Sequence, residues 1–152
     1  MMNQIEIGNK TNISVKDTFS GKGLESRQKA LDMLCGLTSS AATNTAMGAY
    51  TASAYFKLLD ALEMQNVVGE QYEYLKGRHE KRTLGVLNEA VSYLKDAIIE
   101  AWKSGAHEFE NSARDVLGLI NDIIFVQQRR IQAISMEEYK NEIEKAKTLE
   151  RT

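Results

Sequence analysis

The amino-acid sequence predicts an all-α protein, a helical bundle of four or five helices with a long central antiparallel hairpin. The 152-residue chain contains no proline, which is the residue that most strongly ends helices. Apolar residues recur in steps of three and four through much of the second half, which is the period of one helix face. Hydrophobic residues make up 43% and charged residues 26%, as is typical of a folded globular chain.

The first 23 residues differ from the rest of the chain. Apolar and polar residues alternate on both sides of the turn-forming segment 8–11, which predicts either a short β-hairpin or a disordered leader. Ser20, Gly21 and Gly23 then form a flexible joint. We therefore expect a leader over residues 1–23 and a single helical-bundle domain over residues 24–152.

Two helices are expected in the first half of that domain. The first covers Leu24 to about Gly36, where the glycine favours a stop. Cys35 lies in its apolar run, and we expect a buried structural thiol there. The second helix covers residues 41–62. In residues 38–54, 14 of the 17 side chains are Ala, Gly, Ser or Thr, and such small side chains let a neighbouring backbone approach closely.

The sharpest periodic pattern follows two expected breaks, at 66–69 and near Gly77. It is an apolar seam with alternating steps of three and four, formed by Leu84, Leu87, Val91, Leu94, Ile98, Ala101 and Gly105. A second seam covers residues 116–134. A break between residues 104 and 111 would fold the two seams into the antiparallel hairpin.

The last helix has a start signal of its own. Ser135 and Glu138 have the spacing of a capping box, in which each side chain bonds the other's backbone N–H. We expect residues 136–149 to be helical, either bending away from Ile134 or continuing the preceding helix.

The sequence offers little for catalysis. His79 and His107 are the natural candidates for proton transfer at neutral pH. A carboxylate-bridged metal site in a bundle needs Glu three residues before each histidine, and those residues are Lys76 and Ser104. No HExxH, CxxC, Walker-type or GxSxG motif occurs. We therefore expect no enzyme and no cofactor. The alternative is a small ligand-binding or enzymatic bundle that uses His79, His107 or both.

One basic cluster stands out, at a predicted helix junction. Lys76, Arg78, Lys81 and Arg82 lie within seven residues and are candidates for an anion contact, although a solvated helix start would look the same. The net charge of −2 and the pI near 5.8 disfavour nucleic acid as a partner. At Arg129–Arg130, one side chain should flank the seam and the other should face water or an interhelical carboxylate.

Two resemblances bear on function. The turn Trp102-Lys103-Ser104-Gly105 is similar to that of small secreted helical-hairpin proteins of the WxG class, with one residue more between Trp and Gly and four or five helices instead of two. That resemblance concerns architecture, and we expect Trp102 to be a core or hairpin-packing aromatic. The first 20 residues resemble, in composition, proteins that bacterial contact-dependent machines export unfolded.

These observations predict a non-enzymatic interaction or assembly protein that self-associates or docks to partner helices. Its partner-binding surface would comprise the seam and nearby aromatic residues, namely Leu84, Leu87, Val91, Leu94, Ile98, Trp102, Tyr72 and Tyr74. The alternative is an exported structural or translocation component. We expect a cytoplasmic protein, because no signal peptide and no membrane-spanning run occurs, with export without a cleaved signal as the alternative.

Overall fold

The computed structural model describes residues 22–41, 44–67 and 69–151. They form four helices, α1 (Lys22–Ser40), α2 (Thr45–Met64), α3 (Glu70–Lys103) and α4 (His107–Arg151). Both α1 and α3 pack against α2 and α4, so the helices follow one another around a bundle. Short connections make sequential neighbours antiparallel. The all-α bundle is confirmed. Of the hairpin or leader expected over residues 1–23, residues 1–21 lie outside the described residues, and Lys22 and Gly23 belong to α1.

The core is a line of apolar side chains from each helix, spaced by three and four residues. This spacing keeps one face of each helix inside the bundle. The α3 and α4 lines contain Leu87, Ala90, Leu94, Ala97 and Ala101, and Ala113, Val116, Ile120 and Ile123. The expected central hairpin is therefore present as α3 and α4, and both sequence seams lie against the core.

The two connections that flank α3 use glycine in a left-handed conformation. After α3, Gly105 has φ 74°, and the N–H of Ala106 donates to Ala101 O at 2.9 Å in a Schellman arrangement. Before α3, Gly69 has φ 117°. A side chain would be strained at either position. The breaks expected at 66–69 and after 104 are thus confirmed, although α4 already begins at His107.

Several expected helix boundaries were wrong. Gly36 lies inside α1, which continues to Ser40, because a glycine within a helix costs only about 1 kcal/mol. The second helix starts at Thr45, where Asn44 caps it by accepting a bond from the N–H of Met47 at 3.1 Å. The break expected near Gly77 is present as a kink rather than as a turn. Gly77 itself is helical, but α3 departs from helical geometry two residues earlier, at Leu75, with φ −115° and ψ 16°.

The last helix was expected either to bend away from Ile134 or to continue the preceding helix, and the structure shows the second arrangement. Residues 136–149 are helical as expected, and they continue α4 without interruption. Ser135 therefore lies inside a helix rather than at a cap.

Two side chains expected inside the protein are exposed. Cys35 is exposed because its neighbour Leu34 occupies the buried position of α1. Trp102 is 67% exposed, whereas Ala101 is fully buried. In both cases the buried residue is the one immediately before the side chain that was expected inside. Successive residues of a helix differ by about 100° in direction, so the next side chain faces outward.

Candidate functional site

The end of the bundle that contains the α2–α3 connection has a polar interior. All four helices or their caps contribute to it, and Glu80 and Gln127 are completely buried. We call this set the polar cluster; it comprises Arg27, Gln65, Tyr72, Glu80, Gln127 and Arg130. Buried polar groups are costly unless they are hydrogen-bonded, so the contacts within the cluster decide its role.

The carboxylate of Glu80 is the centre of the polar cluster. Its Oε2 accepts a hydrogen bond from Tyr72 Oη at 2.6 Å and from Arg130 Nη2 at 2.9 Å. Its Oε1 accepts from Gln127 Nε2 at 2.6 Å. Three donors on two helices thus surround an acceptor-only group, which is what a carboxylate requires.

Two glutamines extend the polar cluster to the end of α2. Gln127 Nε2 also donates to the backbone oxygen of Glu80 at 3.0 Å, and Gln127 Oε1 accepts from Gln65 Nε2 at 2.7 Å. These contacts fix the orientation of both amides. Gln65 Oε1 is buried and has no hydrogen-bond partner among the described residues. Both amides join α3 and α4 to the end of α2.

Burial changes the titration of two cluster members. Burial and the hydrogen bond to Glu80 raise the pKa of the Tyr72 phenol well above its ordinary value, so Tyr72 remains a donor at all ordinary pH values. Burial and the nearby charge of Arg130 lower the pKa of Arg27 to about 10, which still leaves it protonated at neutral pH. Neither group is adjusted to exchange a proton near pH 7, so the cluster has the character of a structural network.

A cleft opens on the surface beside the polar cluster. It has a volume of about 170 Å³ and is lined by Val67, Gln71, Tyr72, Leu75, Arg78, His79 and Arg82. His79 is held by a hydrogen bond between its Nε2 and Met64 O, 2.8 Å apart. Since a carbonyl oxygen can only accept, Nε2 carries the proton. The ring of His79 also meets that of Tyr72 edge to face, with centroids 5.5 Å apart.

The structure separates the four residues predicted to contact an anion. Arg78 and Arg82 line the cleft together. Lys76 instead bridges to Glu137 on α4 at 2.9 Å and to Glu73 at 3.4 Å; burial alone would lower its pKa, but the two carboxylates raise it. Lys81 is exposed and lies outside the cleft lining. The predicted cluster therefore reduces to two arginines.

The seam predicted to bind a partner faces the interior of the bundle. Leu87, Leu94 and Ile98 are buried in the core, and Leu84 and Val91 are half-buried beside it. Tyr72 is also buried, whereas Tyr74 is 87% exposed. Of the predicted set, only Tyr74 and Trp102 are exposed in the folded chain.

The two histidines do not form one site. His79 lies beside the α2–α3 connection and His107 lies at the start of α4, at the opposite end of the bundle. The 24 residues of α3 between His79 and Lys103 span about 36 Å. A site that uses both histidines is therefore not assembled within one chain.

The C-terminal end of α4 is the part of the described helices that is least covered by neighbouring helices. Every side chain from residue 138 to 148 is exposed. Met136 is 59%, Tyr139 64% and Ile143 37% exposed, and they follow one another in steps of three and four. We call these three residues, with Ala146, the α4 stripe.

No family model, curated protein or solved structure matches this chain. Within the described ranges, no group of three or more metal-ligating side chains lies together. The same part of the chain has no helix that is long and apolar enough to cross a membrane.

Sequence reasoning missed the polar cluster. In the sequence, Glu80 stands between the basic residues Arg78 and Lys81, and Gln127 is a polar residue within the second seam, 116–134. The available signal was the position of Gln127 and Arg130 on the same face as Ile120, Ile123 and Ile134. The sequence predicted that one of Arg129 and Arg130 flanks the seam and that the other faces water or an interhelical carboxylate. Arg130 is the buried one and also meets the Glu80 carboxylate, whereas Arg129 is exposed and lies over the Phe125 ring.

Proposed function

We propose that this chain is a non-enzymatic helical interaction protein that self-associates, and that the α4 stripe is its contact surface. The observation that carries the proposal is an exposed apolar stripe at helical spacing on a part of α4 that the bundle does not cover. Contiguous exposed apolar residues of this kind are typical of protein contact sites.

The direction of the α4 stripe favours pairing between two chains. Ile143 lies nine residues after the buried Ile134, which is two and a half helical turns, so it points away from the bundle. Two copies of α4 can therefore meet along this face while their bundles stay on opposite sides. The contact would be isologous, as in most homodimers.

The charges beside the α4 stripe favour a second copy in parallel orientation. If Met136 and Ile143 occupy a positions of a heptad, Glu142 occupies a g position and Lys147 the following e position. In a parallel pair, the residue at a g position of one helix faces the residue at the next e position of the other helix. Glu142 of each chain would therefore meet Lys147 of the other chain, one such pair on each side of the α4 stripe. In an antiparallel pair, Lys140 and Lys147 would meet and repel.

Both of these charges are available to a second chain, as far as the described ranges show. Among the described residues, Glu142 and Lys147 take part in no ion pair. The α4 stripe, from Met136 to Ala146, covers only about three helical turns. Its buried area would fall below the ~1,600 Å² of a standard interface, so we expect a weak, concentration-dependent dimer.

The first test is solution mass over a concentration series, by size exclusion with light scattering on the full chain. We expect the mass to rise from one chain toward two, and Ile143→Asp to abolish the rise. Ile99→Asp is the matched control, because Ile99 is also an exposed helical isoleucine, at 49%. If Ile99→Asp had the same effect, or if the wild type were monomeric throughout, the α4 stripe would not be a self-association surface.

The second test decides orientation. Glu142→Lys and Lys147→Glu should each weaken the homodimer, and mixing the two variants should restore a heterodimer, because each Glu142/Lys147 contact then joins opposite charges again. Antiparallel pairing predicts instead that Lys147→Glu strengthens its own homodimer through Lys140. That result would retain self-association and refute the parallel arrangement.

A further inference from the structure

The arginines of the cleft differ from the others that the structure describes. Arg114 pairs with Glu110, Arg130 with Glu80, and Arg129 lies over the Phe125 ring. Arg78 and Arg82 form no ion pair with any described residue, and no carboxylate lines the cleft between them. Two positive charges are therefore concentrated at one rim, and no described residue supplies a counter-ion to them.

The spacing of the two arginines lets them act on a single group. They are separated by one helical turn on the same face of α3, where side chains four residues apart are neighbours. A guanidinium binds planar or tetrahedral oxyanions through two parallel N–H donors. One anionic group placed between them can accept hydrogen bonds from both.

The rest of the lining is largely apolar or aromatic. Val67 and Leu75 are 44% and 45% exposed and line the cleft with the rings of Tyr72 and His79. The His79 ring is fixed by its bond to Met64 O. A volume of about 170 Å³ is below the usual range for drug-sized ligands, so it fits a small ring or a short chain.

From this geometry we propose that the cleft binds a small phosphate monoester, with its phosphate between Arg78 and Arg82 and an aryl or short alkyl group against Val67, Leu75 and the Tyr72 ring. A phosphate monoester carries close to two negative charges at pH 7, which matches two guanidiniums, whereas a carboxylate supplies one. This site is independent of the α4 stripe.

Phenyl phosphate is the probe, titrated into the full chain by calorimetry at low salt. We expect it to bind more tightly than inorganic phosphate, and phenol to bind not at all. Arg78→Gln and Arg82→Gln should each weaken phenyl phosphate about tenfold. Lys81→Gln is the matched control, since it removes one positive charge from the same helical turn outside the cleft, and we expect less than about a twofold change.

Two further outcomes would overturn the proposal. If Lys81→Gln weakened binding as much as either arginine variant, attraction to a diffuse positive surface would explain the result. If phenyl phosphate and inorganic phosphate bound equally, the apolar wall would have no role. Leu75→Ser tests that wall directly, because it should reduce the affinity for phenyl phosphate toward that for inorganic phosphate and leave inorganic phosphate unchanged.

Discussion

The two ends of the bundle are stabilised in different ways. At the end that contains the α3–α4 connection, the interior is mainly apolar, with side chains such as Ala101, Ala113 and Val116. The buried hydroxyl of Thr51 bonds within its own helix there, to Met47 O. At the opposite end, Glu80 and Gln127 are completely buried and bonded across three helices. Apolar contacts are non-directional, whereas charged hydrogen bonds demand particular partners.

This difference assigns separate roles to the two ends. Apolar helix faces can slide by a turn and still bury similar area, but the hydrogen bonds of the polar cluster form in only one alignment of α2, α3 and α4. We therefore interpret it as a device that fixes helix register, a role that buried polar groups have in some bundles and coiled coils. Substitutions at the two ends should then differ in size and in pH dependence.

The largest effect is expected for Glu80→Ala. It removes the carboxylate that Tyr72 and Arg130 both contact while leaving positive charge buried, and breaking a buried ion pair costs about 3–5 kcal/mol. The free energy of unfolding from urea denaturation measures the change. A loss below about 1 kcal/mol would mean that the cluster contributes little to the stability of the fold.

A smaller effect that depends on pH is expected for Tyr72→Phe. At neutral pH the variant loses a hydrogen bond to a charged group, worth about 1.5–3 kcal/mol. Because the pKa of Tyr72 is raised in the folded chain, the stability it contributes is present below its ordinary pKa of 10.0 and is lost as pH rises above it. The difference between wild type and variant should shrink above pH 10, whereas a constant difference would refute the shift.

The apolar side of the comparison is tested by Ile120→Val. Ile120 is completely buried, and removing one methylene group from such a site costs about 0.5–1.5 kcal/mol. This loss should not change between pH 8 and pH 11, since no titrating group is involved. A pH-dependent loss would mean that the two ends are not energetically separate.

The smallest effect is expected at the surface ion pair of Lys57 and Glu89, whose nitrogen and oxygen are 2.8 Å apart. The side chains of Lys57 and Glu89 are 38% and 56% exposed, and solvent-exposed pairs contribute little. Lys57→Ala should leave the melting temperature unchanged within error. Glu89→Ala, at the other partner of this pair, is the charge-matched control for Glu80→Ala, because it removes the same single negative charge from an exposed position. A comparable loss there would show that net charge, rather than burial, matters.

The fold could be predicted from the sequence further than the site could. The three- and four-residue steps of the α3 seam and the glycines at 69 and 105 located the central hairpin, because each reflects a local preference of the chain. Cys35 and Trp102 were misplaced because an apolar side chain one position from the buried line looks the same in sequence. Only the packing of the neighbouring helix decides which of the two is covered.

The polar cluster was not predictable from residue type. Glu80 lies among His79, Lys81 and Arg82 in the sequence, so its neighbours along the chain balance its charge. Two of the three donors to its carboxylate, Gln127 and Arg130, are 47 and 50 residues away. The cleft was anticipated in part, because charge alone identified Arg78 and Arg82. Its apolar wall depends on the course of the α2–α3 connection, which the sequence pattern did not define.

The continuity of α4 has a mechanical consequence. With 45 residues in one helix, α4 is about 68 Å long. The direction of each side chain around its axis depends on the number of residues that precede it in the helix. A single residue inserted between Ile134 and Met136 would turn the α4 stripe by about 100° without altering its composition. A four-residue insertion would return it almost to its original direction. The direction in which the α4 stripe faces is therefore determined by the number of residues between it and the buried part of α4.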